Sequence, residues 1–194
     1  MILRQFFLSA LLATGILLGA QAAVAADWDI DQLMQALAQV RNSHAAFSET
    51  KTMALLDKPQ VSSGELIYKA PDYFEKRTLR PQAETLILNG DTVLIARGQK
   101  HYLLKLADYP EIAAFTASLR GTLAGDRQML QRSYALSLEG SKAHWKLRLL
   151  PTDSRIKDRI ARIVIGGVNN ELRSIEIIQT DGDSSITTIA DPAP

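Results

Sequence analysis

Cysteine is absent from this chain of 194 residues. Without it no disulfide can stabilise the fold in an oxidising compartment, and no cleavage-site cysteine is available to carry a lipid. Stability has to come from a packed core, for which the length suffices in one domain. Histidine is scarce, with three residues. His44, His101 and His144 fall in three separate extended segments without i, i+2 or i, i+4 pairing, so they read as ordinary strand or surface residues and no metal site is expected. An excess of either charge is also lacking, since 22 Lys and Arg stand against 21 Asp and Glu. A balanced surface lacks the clustered positive charge that a nucleic-acid partner requires. It also argues against simple electrostatic docking on anionic lipid.

The motifs of catalysis are missing as well. No G-x-S-x-G elbow is present. Ser63-Gly64 and Gly166-Gly167 lack the residues that would complete a phosphate-binding loop. Asp181-Gly182-Asp183 opens like a calcium loop, but the remaining ligand pattern does not follow, and the segment reads as a hairpin turn. The chain is therefore expected not to be an enzyme and to require no cofactor.

What is present begins with an export signal. Arg4 is the only charged residue before Asp27. The apolar stretch from Phe6 to Leu18 is shorter than the roughly 20 residues of a membrane span. Small residues follow from Ala20 to Ala26, and Ala23-Val24-Ala25 fits the A-x-A cleavage rule. Residues 1–26 are expected to be removed, which leaves 27–194 as one formally neutral, soluble domain in the periplasm.

A helix is expected to open this domain. Ile30, Leu33, Met34 and Leu37 recur at helical spacing, Asp29 can cap the N-terminus, and the helix should end near Asn42. Extended segments follow at 45–56, 61–69, 73–80, 83–88, 92–97 and 100–106. The turn at Asp57-Lys58-Pro59-Gln60 separates the first two, and Pro71-Asp72 separates the next two. Asn89-Gly90-Asp91 between apolar runs is a strong hairpin signal. Helical spacing returns at Ile112, Phe115, Leu119 and Leu123, with Pro110 in the first turn and Gly125 as a stop. Asp126 caps a second short helix to Arg132. Five further strands are expected at 133–139, 144–151, 162–166, 171–179 and 184–190, with turns at Gly140-Ser141, at Gly166-Gly167 with Asn169-Asn170, and at 181–183. The polar stretch 152–160 reads as a loop or a short helix. There is no fixed-period repeat and no linker.

Eleven antiparallel strands interrupted once by helix point to a mainly β protein built on one curled sheet. Several strands, such as 86–88 and 163–165, are apolar on both faces, so each is covered on both sides or faces a cavity.

The ordered set Val40, His44, Ala46-Phe47, Gly64-Glu65-Leu66, Pro71, Phe74 and Gly90 resembles the LolA family of periplasmic lipoprotein carriers. The resemblance extends from Leu33 to about Thr188. It implies an incomplete eleven-stranded antiparallel barrel, or curved sheet, closed by a helical lid. It further implies an apolar cavity that takes acyl chains of a lipoprotein or lipid, an inner-membrane donor, an outer-membrane acceptor, and a monomeric carrier that moves cargo between them. The alternative is an accessory or sensor domain of a lipid or glycolipid export system with the same fold. Carriers of the family place an arginine before the proline equivalent to Pro71, where it holds the lid. Here that position is Ala70. Lys69 does not substitute, because adjacent strand residues point to opposite faces. A free lipid or glycolipid cargo thus stands beside a lipoprotein.

On this reading Leu66, Tyr68, Tyr73, Phe74, Leu86, Leu88, Leu94 and Trp145 are the candidates for cavity lining, with ordinary core packing as the other role for each. Arg77 and Arg80, in a charged run with Glu75 and Lys76, belong either to a solvated outer face or to the cavity mouth, where a cation would meet a lid group or a lipid headgroup.

Overall fold

The computed structural model describes residues 28–191, so the expected signal segment lies outside the described residues. Helix α1 (Ile30–Ala38) opens on a capping box. Asp29 accepts from the Gln32 backbone N–H at 2.8 Å, and the Gln32 side chain accepts from the Asp29 N–H at 3.3 Å. Leu33, Met34 and Leu37 form its buried face. The helix ends at Ala38, short of the expected Asn42. The Val40 N–H closes the last turn on the Leu37 carbonyl, and Asn42 already pairs with Lys69 as the first residue of a strand.

That strand, β1 (Asn42–Thr52), starts and stops earlier than expected, and β2 (Gln60–Lys69) begins inside the segment expected to turn. Strands β3 (Tyr73–Arg80), β4 (Glu84–Asn89), β5 (Thr92–Arg97) and β6 (Lys100–Lys105) follow close to the expected bounds. A 3-10 turn at Leu106–Asp108 leads into α2 (Pro110–Ala124). Gly125 ends this helix at φ 66°, in the left-handed region. A Cβ there would also stand 2.1 Å from the Met34 carbonyl oxygen, so glycine lets the end of α2 press against α1. Helix α3 (Arg127–Gln131) is capped by Asp126, which accepts from the Met129 N–H at 2.9 Å.

The second half comprises β7 (Tyr134–Ser141), β8 (His144–Pro151), the short helix α4 (Ser154–Lys157), β9 (Ile160–Val168), β10 (Glu171–Gln179) and β11 (Ser184–Ala190). Two expected turns are corrected. Gly140-Ser141 lies within β7 and Gly166-Gly167 within β9. Gly167 is a packing residue, because a Cβ on it would lie 2.2 Å from the Trp145 ring and 2.4 Å from the Glu171 carbonyl oxygen. The Asn169-Asn170 part of that expectation holds, since the turn falls there with Asn169 at φ 55°.

All eleven strands form one antiparallel curved sheet in the order β6-β5-β4-β3-β2-β1-β11-β10-β9-β8-β7. The first and last strands are neighbours at its centre, while β6 and β7 are its two edges. The helical segment between them therefore runs from one edge to the other. Its residues pack on one face of the sheet, giving an incomplete barrel with a helical lid. Among the described residues no helix is long and apolar enough to cross a membrane.

Two apolar clusters hold lid and sheet together. In the larger, Leu33, Met34 and Leu37 of α1, Leu130 of α3 and Ile156 of α4 pack on Tyr134, Trp145, Leu147, Leu149, Ile163 and Ile165 of β7–β9. In the smaller, Ile112 and Ala113 at the start of α2 sit with Leu106 on Leu88, Val93, Phe74, Leu86, Ile95 and Leu104 of β3–β6. The middle of the lid crosses between them.

Candidate functional site

Register decides which side chains face the lid. Tyr68 pairs with Phe74, Phe74 with Leu88, Leu88 with Val93 and Val93 with Leu104, so these five form one inward row. The next row, Ile67, Glu75, Ile87, Leu94 and Leu103, faces the outer side.

Between the two apolar clusters lies a cavity of about 530 Å³, within the range of roughly 300–1,000 Å³ typical of small-ligand sites. Leu119 and Leu123 of α2 form its roof, spaced i, i+4 so that both point down from the lid. Leu37 and Val40 close one side. Ala45, Leu66, Phe74, Leu172, Ile175 and Ile189 supply apolar wall from β1, β2, β3, β10 and β11. Arg41, Asn42, Ser43, His44, Tyr68, Asn170, Glu171, Arg173 and Asp191 bring polar groups to the end where β1 begins and β11 finishes. Arg173 is bonded to Glu171 and stands 3.5 Å from Asp191, and His44 lies 3.6 Å from Glu65. The Tyr68 hydroxyl is buried without a hydrogen-bond partner among the described residues. Burial pushes its pKa up, with Arg41 and Asp72 acting on it in opposite senses.

Of the residues singled out from sequence, Leu66, Tyr68 and Phe74 stand at this cavity. Leu86 and Leu88 face the same way but are packed in the smaller cluster under the first turns of α2. Trp145 is not at the cavity. It is sealed in the larger core, with its indole N–H donating to the Asn169 carbonyl at 2.9 Å. Leu94 faces outward, opposite Leu103. Tyr73 faces outward as well, with its hydroxyl donating to Glu75 at 2.6 Å. Arg77 is no mouth cation, since it bonds Glu75 and lies 3.9 Å from Glu65 on the outer face. Arg80 is exposed at the end of β3, away from the cavity.

The outer network has its own logic. Glu75 is only 5% exposed although it sits on the outer face, because Tyr73, Arg77 and the flanking Ile67 and Ile87 cover it. Burial alone would raise its pKa. The bonds from Tyr73 and Arg77 and the charges of Arg77 and Lys69 outweigh that, and hold it below the ordinary glutamate range. A second polar cluster lies on the inner face beyond Phe47. There Glu49 accepts from Lys76 at 2.7 Å and Ser62 at 3.3 Å, and the Lys76 ammonium sits 4.8 Å from the centre of the Phe47 ring.

The lid is fastened at its middle and near its C-terminal end. Arg127 of α3 bonds both carboxylate oxygens of Asp31 in α1 at 2.7 Å. Arg120 of α2 bonds the Gly90 carbonyl in the β4–β5 turn. Two of the buried polar residues of α2, Thr116 and Thr122, turn their hydroxyls back onto the Ala113 and Ser118 carbonyls of the same helix.

Sequence reasoning missed Leu119, Leu123, Ile175, Ile189 and Arg41 as site residues. A usable signal existed for some. The tight Asn89-Gly90 hairpin sets Leu88 opposite Val93, which assigns Leu94 to the other face. Leu119 and Leu123 already shared a helical stripe.

Residues 22–194 match the family described as outer membrane lipoprotein carrier protein LolA-like. No curated protein matches the chain. Among solved structures, a LolA superfamily protein from Nitrosomonas europaea is similar at 10% identity over 86% of this chain and 96% of that one, with a TM-score of 0.42. Lipoprotein LppX of Mycobacterium tuberculosis is similar at 12% identity over 85% and 94%, with a TM-score of 0.45. The MucA/MucB complex of Pseudomonas aeruginosa is similar at 15% identity, with a TM-score of 0.46. There the match covers 86% of this chain and 59% of that one.

Proposed function

Since the chain belongs to the LolA-like family of outer membrane lipoprotein carrier proteins, we propose that residues 27–194 form a monomeric periplasmic carrier, released from a signal peptide at 1–26, that binds acyl chains and ferries them toward the outer membrane. The observation that carries this reading is the cavity of about 530 Å³ whose roof is lid and whose floor is sheet. Each buried methylene contributes about 0.8 kcal/mol, so an acyl chain gains enough from such a pocket to be held in solution. Release needs an opposing process. Closure of Leu119 and Leu123 onto the sheet competes with the chain for the same apolar surface, and a partner that favours the closed lid would expel the cargo. A membrane donor and an outer-membrane acceptor are the partners this reading requires.

The test is extraction of lipid and acylated protein from the carrier purified out of its native cell envelope, together with titration of a fluorescent fatty-acyl probe. Co-purifying acyl material and saturable probe binding are expected. Neither appearing would remove the reading.

A further inference from the structure

Polar groups are unevenly spread around the cavity. Roof and floor are apolar, and at the end where β1 begins and β2 finishes Tyr68 and Arg41 stand beside the Glu171-Arg173-Asp191 cluster. Tyr68 is 4% exposed, and its hydroxyl meets neither water nor a partner among the described residues. A hydroxyl so placed has given up its hydration with nothing in return. Arg41 reaches the same end. Its backbone carbonyl accepts the Ala70 N–H at 2.8 Å, which ties it beside the end of β2, and Ser43 next along β1 is the register partner of Tyr68. Its guanidinium has no ion pair among the described residues. Arg173 is already shared between Glu171 and Asp191, and His44 lies 3.6 Å from Glu65, so of these cavity residues Arg41 is the cation left without an ion pair among the described residues. A buried hydroxyl in the wall and a cation without an ion pair among the described residues thus stand together at the polar end of a cavity that is apolar elsewhere.

We infer that this end receives the acidic head, a carboxylate or phosphate, of a free amphiphile whose chain fills the aliphatic part. Tyr68 donates its hydroxyl hydrogen to the head, and Arg41 supplies the counter-charge. The inference rests on the carrier reading, because it assigns the head of the ligand whose chain the cavity would hold. It narrows the cargo. An acyl chain joined to a protein through an ester or amide brings no anionic oxygen to Arg41, whereas a free acidic lipid does.

The experiment is titration of the purified protein with cis-parinaric acid and with its methyl ester at neutral pH, in the wild type and in Tyr68→Phe and Arg41→Gln. The acid is expected to bind about tenfold tighter than the ester, as a charge-assisted hydrogen bond implies. In either variant the ratio should fall to about threefold or less. Palmitate and hexadecyl phosphate, compared as displacers, then tell a carboxylate head from a phosphate head. Inorganic phosphate should displace nothing, and if it displaces as well as hexadecyl phosphate the site is one for free anions and the inference fails. Equal binding of acid and ester by the wild type, or variants that weaken both probes alike, overturns the inference and leaves the carrier reading intact. If neither probe binds, the carrier reading falls and this one with it. Arg41 is exposed, so Arg41→Gln keeps the test alive should the buried Tyr68→Phe change disturb folding.

Discussion

The guanidinium of Arg120, in the middle of the lid, donates to the carbonyl oxygen of Gly90 in the turn between β4 and β5. The fastening runs from lid to sheet, with the cation on the helix and a backbone carbonyl on the strand side. It meets the sheet near Asp72, whose carboxylate is about 4.0 Å from where a Cβ on Gly90 would stand. Such a bond opens without leaving a buried charge in the sheet, because its acceptor is neutral.

Arg120→Ala is therefore expected to loosen the lid more than it damages the fold. Loss of the charge-assisted bond should cost about 1.5–3 kcal/mol at most, read from urea denaturation. The rate of acyl-probe uptake in stopped-flow fluorescence should rise. An unchanged uptake rate would mean that this bond does not hold the lid.

Leu119→Trp places a larger side chain in the cavity roof. Probe affinity is expected to drop by about tenfold or more, as roughly 1.4 kcal/mol of lost binding implies. Leu103→Ser, on the outer face where Leu103 is 67% exposed, should leave probe binding as it was. Fluorescence titration of both variants distinguishes a roof residue from a surface one.

Gly167→Ala forces a methyl group against the Trp145 ring and the Glu171 carbonyl. Both neighbours are fixed, the ring by its bond to Asn169 and the carbonyl by the β9–β10 turn. A loss of about 1–3 kcal/mol is expected from overpacking, with a shift in tryptophan emission as the indole is displaced. Thermal denaturation followed by fluorescence checks both.

Glu75 gives the fold a pH dependence of known sign. Its folded pKa lies below the ordinary 4.5. Its contribution is therefore present above about pH 4.5 and lost as pH falls through the folded value. The melting temperature of the wild type should exceed that of Glu75→Gln at neutral pH, and the gap should narrow steadily below pH 4.5. A gap that widens on acidification would contradict the assignment.

Local chemistry was legible in the sequence where a single residue type has one common use. Asp29 and Asp126 cap helices, Gly125 ends one, and the turn at Asn89-Gly90 falls where expected. Eleven strands and the helical interruption follow from such signals. Facing was less legible, because strands such as Leu86-Ile87-Leu88 are apolar on both sides and periodicity alone does not orient them. That is why Tyr73 and Leu94 were grouped with Phe74 and Leu88. Gly167 read as a turn because what it makes room for, the Trp145 ring, comes from another strand. Arg41 was hidden for a different reason. What singles it out is a guanidinium without an ion pair among the described residues, and ion pairs are set by tertiary structure.

The order of strands has a mechanical consequence. Residues 42–105 and 134–190 form two ribbons of locally connected strands that meet along the β1–β11 ladder at the centre, which the Ala54 N–H extends by donating to Asp183 at 2.8 Å. No loop joins those two strands, and the sole covalent tie between the ribbons is the stretch that contains the lid. Leu66 and Phe74 come from one ribbon, Ile175 and Ile189 from the other. On the carrier reading, raising the lid would slacken the one covalent strap between the ribbons, and the cavity would widen along its central seam as a book does along its spine.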